Sequence, residues 1–513
     1  MGRRIGWLGI FITLCFVALF VQLNNVQVVQ AKAEADNPHN PRIVFQKYAQ
    51  PKGLIEAADG TVLAKSVPTH ANTIYKYTRT YPQGGLYSQI VGYDSLIYGS
   101  SGVEASYVSY LKTHNAPVKT IRDLLSTHTI TDTVRLTVQP KLQQAARTAL
   151  AGRVGGVVAL DPATGAVLAM YANPTFNPNP LTSLNPKTEA AAWKSYTSPD
   201  PAQHGFTPLL PISYADSFPP GSTFKIVTTS AVYQHKPSLI HKSYPSLGCL
   251  PPALGPYGQP HGINLPDTTQ GLCNYGNHFP NAQTVAGTCG GTIRVMLPPS
   301  CDTGYALIGL DLGPQNLYQE AYSYGFDQQP PIDLPHSYLE VSRFPTVAQL
   351  QANVPFQAYS AIGQGNVAAT PLQMALVAAT VANHGVMMTP HVMADIYDSQ
   401  GNLVTRYKPT PWKTPISPSA ASAIKNLMTH VVSNTDGTAY GIFNPADDVG
   451  AKTGTAQIGV GNTGTTDWMI ALAPASAPKI ALAVVMPDEA PSATGAAVAG
   501  PVIRAMLQAV LGQ

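Results

Sequence analysis

Phe218-Pro219-Pro220-Gly221-Ser222-Thr223-Phe224-Lys225 is the stretch on which the reading of the chain turns. The Pro-Pro-Gly breaker ends whatever precedes it, and Ser222-Thr223 can cap or begin a helix. The apolar run that follows predicts a largely buried helix over 222–234. Positions i and i+3 share a helix face, so Lys225 is expected beside Ser222, both near the positive end of the helix dipole. A serine alkoxide needs a base within hydrogen-bond reach. Lysine is that base only when burial or neighbours lower its pKa, because an ammonium has no lone pair. The pair is therefore a chemical proposal: Ser222 attacks and Lys225 takes the proton. Standing alone, the same spacing also describes many solvated helix faces.

Upstream, Met1-Gly2-Arg3-Arg4 is basic and residues 5–23 carry no charge. That length suits a bilayer span, and the arginines put residues 1–4 in the cytoplasm and the remainder outside. The competing reading is a signal peptide cut at Ala31-Lys32-Ala33 or Ala33-Glu34-Ala35. The apolar run is longer than a usual signal core and those sites lie well past it, so an uncleaved anchor is expected. Only 11% of the 513 residues are charged, against about 25% in an average soluble protein. No basic block suited to nucleic acid, Walker loop or H-E-x-x-H occurs, so nucleotide and zinc-protease chemistry lack support. Cys249, Cys273, Cys289 and Cys301 form no C-x-x-C pair, which argues against zinc. Outside the cytoplasm they can form one or two disulfides, with three full pairings open. The preferred bridge is Cys249 with Cys273, pinning the Pro/Gly-rich loop between them.

The length allows roughly two to four domains. Residues 24–135 form a first region, with a hairpin turn expected at Asp59-Gly60. No catalytic constellation stands out there, and Glu104 reads as structural. From residue 136 the pattern changes. A helix is expected from Pro140, then two apolar strands flanking Asp161-Pro162-Ala163-Thr164-Gly165. Thr370-Pro371 marks a helix start, as N-cap and first residue. Near the end come Lys452-Thr453-Gly454-Thr455, strands expected over 467–475 and 479–487, and an apolar helix over 496–512. Two early strands, three late ones and the final helix make one five-stranded sheet with helices packed on it.

Ser222-x-x-Lys225, Ser300-x-Asp302 and Lys452-Thr453-Gly454 thus stand in chain order, the S-x-x-K, S-x-N and K-T-G pattern of penicillin-binding enzymes. Together with DGTVLA, YGSSGVEASY, LDPATGAVLAMYANPTFNPNP, FPPGSTFK, AIGQGNVAATPLQMA and KTGTAQ, they make the chain resemble the class B penicillin-binding transpeptidases, nearest the actinobacterial penicillin-binding protein A type. The likeness runs from the N-terminal anchor to the last strand.

The resemblance implies an α+β transpeptidase fold, a five-stranded antiparallel sheet with helices on both faces over 136–513. It also implies a mixed α/β pedestal, dimerisation-like, over 24–135 and a transmembrane helix over 5–23. Implied too is a peptidoglycan D,D-transpeptidase that works through an acyl-serine, binds β-lactams and serves cell shape or division. In that scheme Ser222 is acylated, Lys225 is the base and Ser300 relays a proton to the leaving amine. Lys452 holds the substrate carboxylate and depresses Lys225. Thr453 and Thr455 contact that carboxylate or nearby backbone, and Gly454 lets the strand approach the substrate. The backbone N–H groups of Ser222 and Thr455 form the oxyanion hole. No metal or cofactor is implied. The implied partners are peptidoglycan stem peptides, the membrane and a membrane glycosyltransferase of the shape/division class, since no stretch before residue 136 is long enough for polymerase chemistry.

Two positions depart from the pattern. Asp302 stands where the family has Asn, and an ionised carboxylate cannot donate and would hold Lys225 protonated. Either Asp302 is protonated and mimics the amide, most easily in an acidic exterior, or acylation is slow and the protein is a scaffold of the elongation or division complex. A D,D-carboxypeptidase, transferring to water at the same site, is the other alternative. Lys52 stands where the family shows Arg.

Overall fold

The computed structural model describes residues 2–29, 48–69, 75–115, 129–248, 250, 272–274, 287–459 and 463–511. Ala31–Ala35 and Cys249 lie outside the described residues.

The N-terminal run forms helix α1 (Gly2–Asn24). The span Gly6–Val28 is long and apolar enough to cross a membrane, and no part of its apolar window is buried against the protein. Trp7, Phe11, Phe16 and Phe20 all face outward, which suits lipid rather than water.

The remaining chain builds two large sheets. Their strands, in chain order, are β1 (Ile55–Glu56), β2 (Val62–Pro68), β3 (Tyr77–Thr80), β4 (Thr133–Leu136), β5 (Gly155–Leu160), β6 (Val167–Asn173), β7 (Met393–Tyr397), β8 (Leu403–Arg406), β9 (Gly450–Ile458), β10 (Gly464–Ala473) and β11 (Ile480–Glu489). The first sheet is six-stranded, in the order β8-β7-β4-β1-β2-β3. It draws on both sides of the 135/136 boundary: β4 pairs parallel with β1 and antiparallel with β7. The Asp59-Gly60 turn joins β1 to β2, with the Asp59 carboxylate accepting the Thr61 N–H at 2.9 Å. Under this sheet Glu104 is fully buried. It accepts from Arg79 Nε at 2.5 Å, Lys52 Nζ at 3.2 Å and the Tyr81 hydroxyl at 3.3 Å. Lys52 also reaches Asp94, at 2.7 Å. Two cations and two carboxylates balance, and a lysine's compact charge reaches both acids.

The second sheet is the five-stranded antiparallel one, in the order β9-β10-β11-β5-β6. Every residue of β5 and β10 is buried, which explains the apolar runs of β5 and of β10 from Trp468 onward. Consecutive glycines mark its two covered faces. A Cβ on Gly155 would meet Leu150 of helix α2 (Pro140–Leu150), and one on Gly156 would meet Pro371. Pro371 opens the all-buried central helix Pro371–Ala382, capped by Thr370 accepting from Gln373 N–H.

Strand and helix limits shift from expectation at the C-terminal end. β10 starts at Gly464 because Thr465 and Thr466, though polar, are buried in the ladder. The apolar segment after β11 breaks into Gly495–Val498 and Gly500–Leu511. Pro501 lacks an N–H and sits best in the first turn of a new helix.

Candidate active site

The Pro219-Pro220-Gly221 breaker delivers the chain into a 3₁₀ turn, Gly221–Phe224, which passes into helix α3 (Lys225–His235). The expected helix therefore opens as one tighter turn, in which Lys225 N–H donates to Ser222 C=O. Gly221 has φ +51°, and a Cβ there would lie 3.0 Å from the Thr455 backbone. Trp468 Nε1 donates to Pro219 C=O at 2.9 Å and ties the turn to the five-stranded sheet. Ser222 is nearly buried and Lys225 wholly so.

Ser300 and Asp302 come from the opposite wall. Ser300 holds φ +63° between two helices, and Asp302 begins helix α4 (Asp302–Leu312). This corner is anchored from outside. Asn274 Oδ1 accepts the N–H groups of Asp302 and Thr303, both at 3.0 Å, while its Nδ2 donates to Leu247 C=O at 2.7 Å and Gly287 C=O at 2.8 Å. Asn274 thus caps a helix 28 residues away, where the side chain of the N-cap residue Cys301 caps no backbone N–H. Cys301 is instead bridged to Cys289, one of the pairings the spacing left open. Cys273 is also disulfide-bonded.

The third wall is β9, the edge of the sheet, which carries Lys452, Thr453, Gly454 and Thr455. Lys452 is wholly buried, and its Nζ donates to Ser300 Oγ at 2.7 Å and Thr453 C=O at 2.9 Å. Lys225 Nζ donates to Asp302 Oδ1 at 2.7 Å, Ser300 C=O at 2.7 Å and Ser300 Oγ at 3.3 Å. The Ser222 hydroxyl donates to that same Asp302 oxygen, at 3.3 Å. Ser300 Oγ therefore sits between two lysines, and Asp302 Oδ1 between Ser222 and Lys225. Burial pushes Lys225 below the usual ammonium range, with Asp302 opposing the shift. Lys452 falls well below, through burial first and then the Lys225 charge, again against Asp302. Two lysines face one carboxylate, so an anionic ligand arriving there would favour their charged forms. Among the described residues no group of His, Cys, Asp or Glu could hold a metal.

Thr453 shares a hydrogen bond of 2.5 Å with Thr438. Gly454 is needed for a contact the sequence did not suggest. A Cβ there would stand 2.7 Å from Pro220 C=O and 2.9 Å from Thr223 Cγ2, so the strand approaches the Ser222 turn itself. Thr455 Oγ1 donates to Asp467 Oδ1 at 3.0 Å and accepts from Gly495 N–H at 3.1 Å. Asp467 was missed in the sequence, where its one signal is a lone acid opening an apolar strand. It lies directly across the ladder from Thr455 with no exposed surface. Burial pushes its carboxyl up to about 6 against the hydrogen bonds from Thr465 and Thr455.

The chain matches the penicillin binding protein transpeptidase domain over residues 155–245 and 257–508. Residues 52–133 match the penicillin binding protein A dimerisation domain. It is 32% identical to the peptidoglycan D,D-transpeptidase PbpA of Mycolicibacterium smegmatis, over 100% of this chain and 99% of that one. To the protein of the same name from Mycobacterium tuberculosis it is 30% identical, again over 100% and 99%. Penicillin-binding protein A from M. tuberculosis, solved as a ceftriaxone acyl-enzyme complex, superposes with a TM-score of 0.77 at 28% identity, covering 91% of this chain and 100% of that one.

Proposed function

The chain belongs to the penicillin-binding protein transpeptidase family, and from that premise we propose how its own residues perform the reaction. It is a serine D-Ala-D-Ala transpeptidase that cross-links peptidoglycan stem peptides and is acylated by β-lactams. The observation that carries the reading is convergence: Ser222, Lys225, Ser300, Asp302 and Lys452 meet in hydrogen bonds of 2.7–3.3 Å from three separate walls.

Ser222 Oγ attacks the carbonyl of the D-Ala-D-Ala bond. Its proton passes to Lys225, which burial leaves in the neutral, proton-accepting form more readily than a free lysine. The backbone N–H groups of Ser222 and Thr455 would hold the oxyanion, and the packing of Gly221 against Thr455 keeps those two segments together. Ser300 Oγ, between the lysines, hands its proton to the departing D-Ala amine and takes in return the proton that Lys225 received from Ser222. Lys452 and Thr453, with Thr455, take the terminal carboxylate. An amine of a neighbouring stem then attacks the acyl-serine, gives its proton to Lys225, and the Ser222 oxygen takes that proton as it leaves.

Asp302 fits this scheme through its contact with Lys225. One proton shared across 2.7 Å can sit on either group. A hydrogen on the oxygen would give Asp302 one amide-like donor. On the nitrogen it leaves Lys225 without a lone pair for Ser222, and the Lys225–Asp302 ion pair is the observation favouring the slower, scaffold-like alternative.

Helix α1 would anchor the protein with residues 1–4 in the cytoplasm and the catalytic region outside, beside a membrane glycosyltransferase that polymerises the strands. Residues 24–135 would serve as the pedestal that meets such partners, and residues 136–513 as the transpeptidase unit. The test is fluorescent-penicillin labelling of the detergent-solubilised full chain beside Ser222→Ala. Labelling that disappears in the variant supports the acyl-serine mechanism. Folded wild-type protein that takes no label refutes it.

A further inference from the structure

Behind the edge strand lies a carboxylate that the scheme above does not use. Asp467 on β10 faces Thr455 on β9, and both of its oxygens accept hydroxyls: Oδ1 from Thr455 and Oδ2 from Thr465, each at 3.0 Å. Thr455 Oγ1 also receives the Gly495 N–H. A hydroxyl has one hydrogen and two lone pairs. While Asp467 is ionised, the Thr455 hydrogen is committed to it and none is left for a ligand. When Asp467 is protonated it can donate to Thr455 Oγ1, Gly495 N–H fills the second lone pair, and the Thr455 hydrogen is free to turn toward the site. Thr465 has another acceptor ready, Ala490 C=O at 3.0 Å.

Resting on the reading that Thr455 and Lys452 receive the substrate carboxylate, we propose that Asp467 governs how tightly that carboxylate is held. As an anion it withholds the Thr455 hydroxyl and repels the incoming charge; as an acid it releases the hydroxyl to the substrate.

The charged groups around it do not fix it in one state. Glu489, on the neighbouring strand β11, adds repulsion, while Arg153 reaches Glu489 at 3.9 Å and His204 reaches Asp488 at 2.7 Å. Lys452 and Lys225 bond Ser300, Thr453 and Asp302, on the nucleophile's side. Among the described residues no cation bonds Asp467. Burial outweighs the two hydroxyls and places the carboxyl at about 6, inside the range where a modest change of medium alters its charge. A bound carboxylate favours the protonated form both by repulsion and by claiming the Thr455 hydrogen. Affinity for an anionic substrate must then rise as pH falls through about 6, and level off below.

The experiment is acylation of the detergent-solubilised full chain by a fluorescent penicillin from pH 4.5 to 8. Its concentration dependence separates the binding constant K from the acylation rate. The penicillin carboxylate stays ionised throughout. The expected result is a K roughly tenfold tighter at pH 5 than at pH 7.5, the size of one hydrogen bond to a charged group. Asp467→Asn, whose amide donates to Thr455 at every pH, should show the tight K throughout. The methyl ester of the same penicillin should lose the pH dependence in the wild type, a comparison that needs no variant to fold. A K that is flat in the wild type, or unchanged in profile by Asp467→Asn, or equally pH-dependent for the ester, overturns the proposal while the acyl-serine reading stands. Absence of label at every pH overturns that reading and this inference with it.

Discussion

Lys225 Nζ lies 2.7 Å from Asp302 Oδ1, an ion pair in which the lysine is wholly buried and the carboxylate nearly so. The contact sets a ceiling on the base. Burial lowers Lys225, and the charge and hydrogen bond of Asp302 raise it back. Only neutral Lys225 can take the Ser222 proton, so whatever raises its pKa slows acylation near neutrality. Replacing the acid by its amide removes the raising contribution and keeps the shape. Asp302→Asn should therefore increase the acylation rate at pH 7 by about tenfold or more, one pKa unit being worth about 1.4 kcal/mol. The acid limb of the pH–rate profile should move to lower pH. Stopped-flow labelling across pH 4 to 9 reads both quantities. A slower variant with an unmoved limb would mean that the carboxylate itself is needed.

Asn274 reaches across to cap helix α4, and its loss should be felt at the site as well as in stability. Removing a cap costs roughly 0.5–2 kcal/mol. Here the capped N–H groups belong to Asp302 and Thr303, beside Ser300, whose φ of +63° is unfavourable for a residue with a side chain. Asn274→Ala is expected to lower the thermal midpoint by a few degrees and to reduce acylation more than binding, because Ser300 and Asp302 drift. Reducing the Cys289–Cys301 bridge, which closes 12 residues of sequence, should do the same more strongly, as loops of that size contribute about 3 kcal/mol. Acylation of the folded variant at the wild-type rate would show that the corner holds its geometry without Asn274.

These anchors mark the limit of what the sequence reveals. Ser222, Lys225, Lys452 and the Ser300–Asp302 pair are legible because each motif is contiguous and its spacing carries a chemical reason. The hairpin at 161–165 and the Thr370-Pro371 helix start are equally local signals. Asn274 is invisible because its partners lie 28 and 29 residues away, beyond a Pro/Gly-rich stretch with no period. Asp467 matters only through Thr455, and a cross-strand neighbour emerges only once the register of β9 and β10 is fixed. The joining of β7 to β4 likewise unites residues more than 250 positions apart, a pairing that no local propensity encodes.

Glu104 provides a contrast, a buried acid whose role is structural. It is held by Arg79, Lys52 and Tyr81 under the six-stranded sheet. Breaking a buried pair from one side leaves an uncompensated charge, at a cost of about 3–5 kcal/mol. Glu104→Gln should lower the urea midpoint accordingly, while the fraction that remains folded is acylated at the wild-type rate. A fall in the rate per folded molecule would connect the pedestal to the active site.

Gly454 tests the closeness of the edge strand to the nucleophile. In Gly454→Ala the new Cβ would fall 2.7 Å from Pro220 C=O, 2.9 Å from Thr223 Cγ2 and 3.1 Å from Trp468 Cβ. The backbone carbonyl cannot swing aside as a flexible side chain would, so either β9 or the Gly221–Phe224 turn must move. Overpacking of this kind costs roughly 1–3 kcal/mol, small enough for the fold to persist. The displaced turn carries Ser222, and a shift of about 1 Å at a reacting atom can cost on the order of a hundredfold in rate. The expected outcome is a folded protein with a nearly normal thermal midpoint and penicillin acylation slowed by roughly ten- to a hundredfold. If alanine is accepted with an unchanged rate, the strand has room to retreat, and glycine at 454 answers to the substrate's approach rather than to the turn.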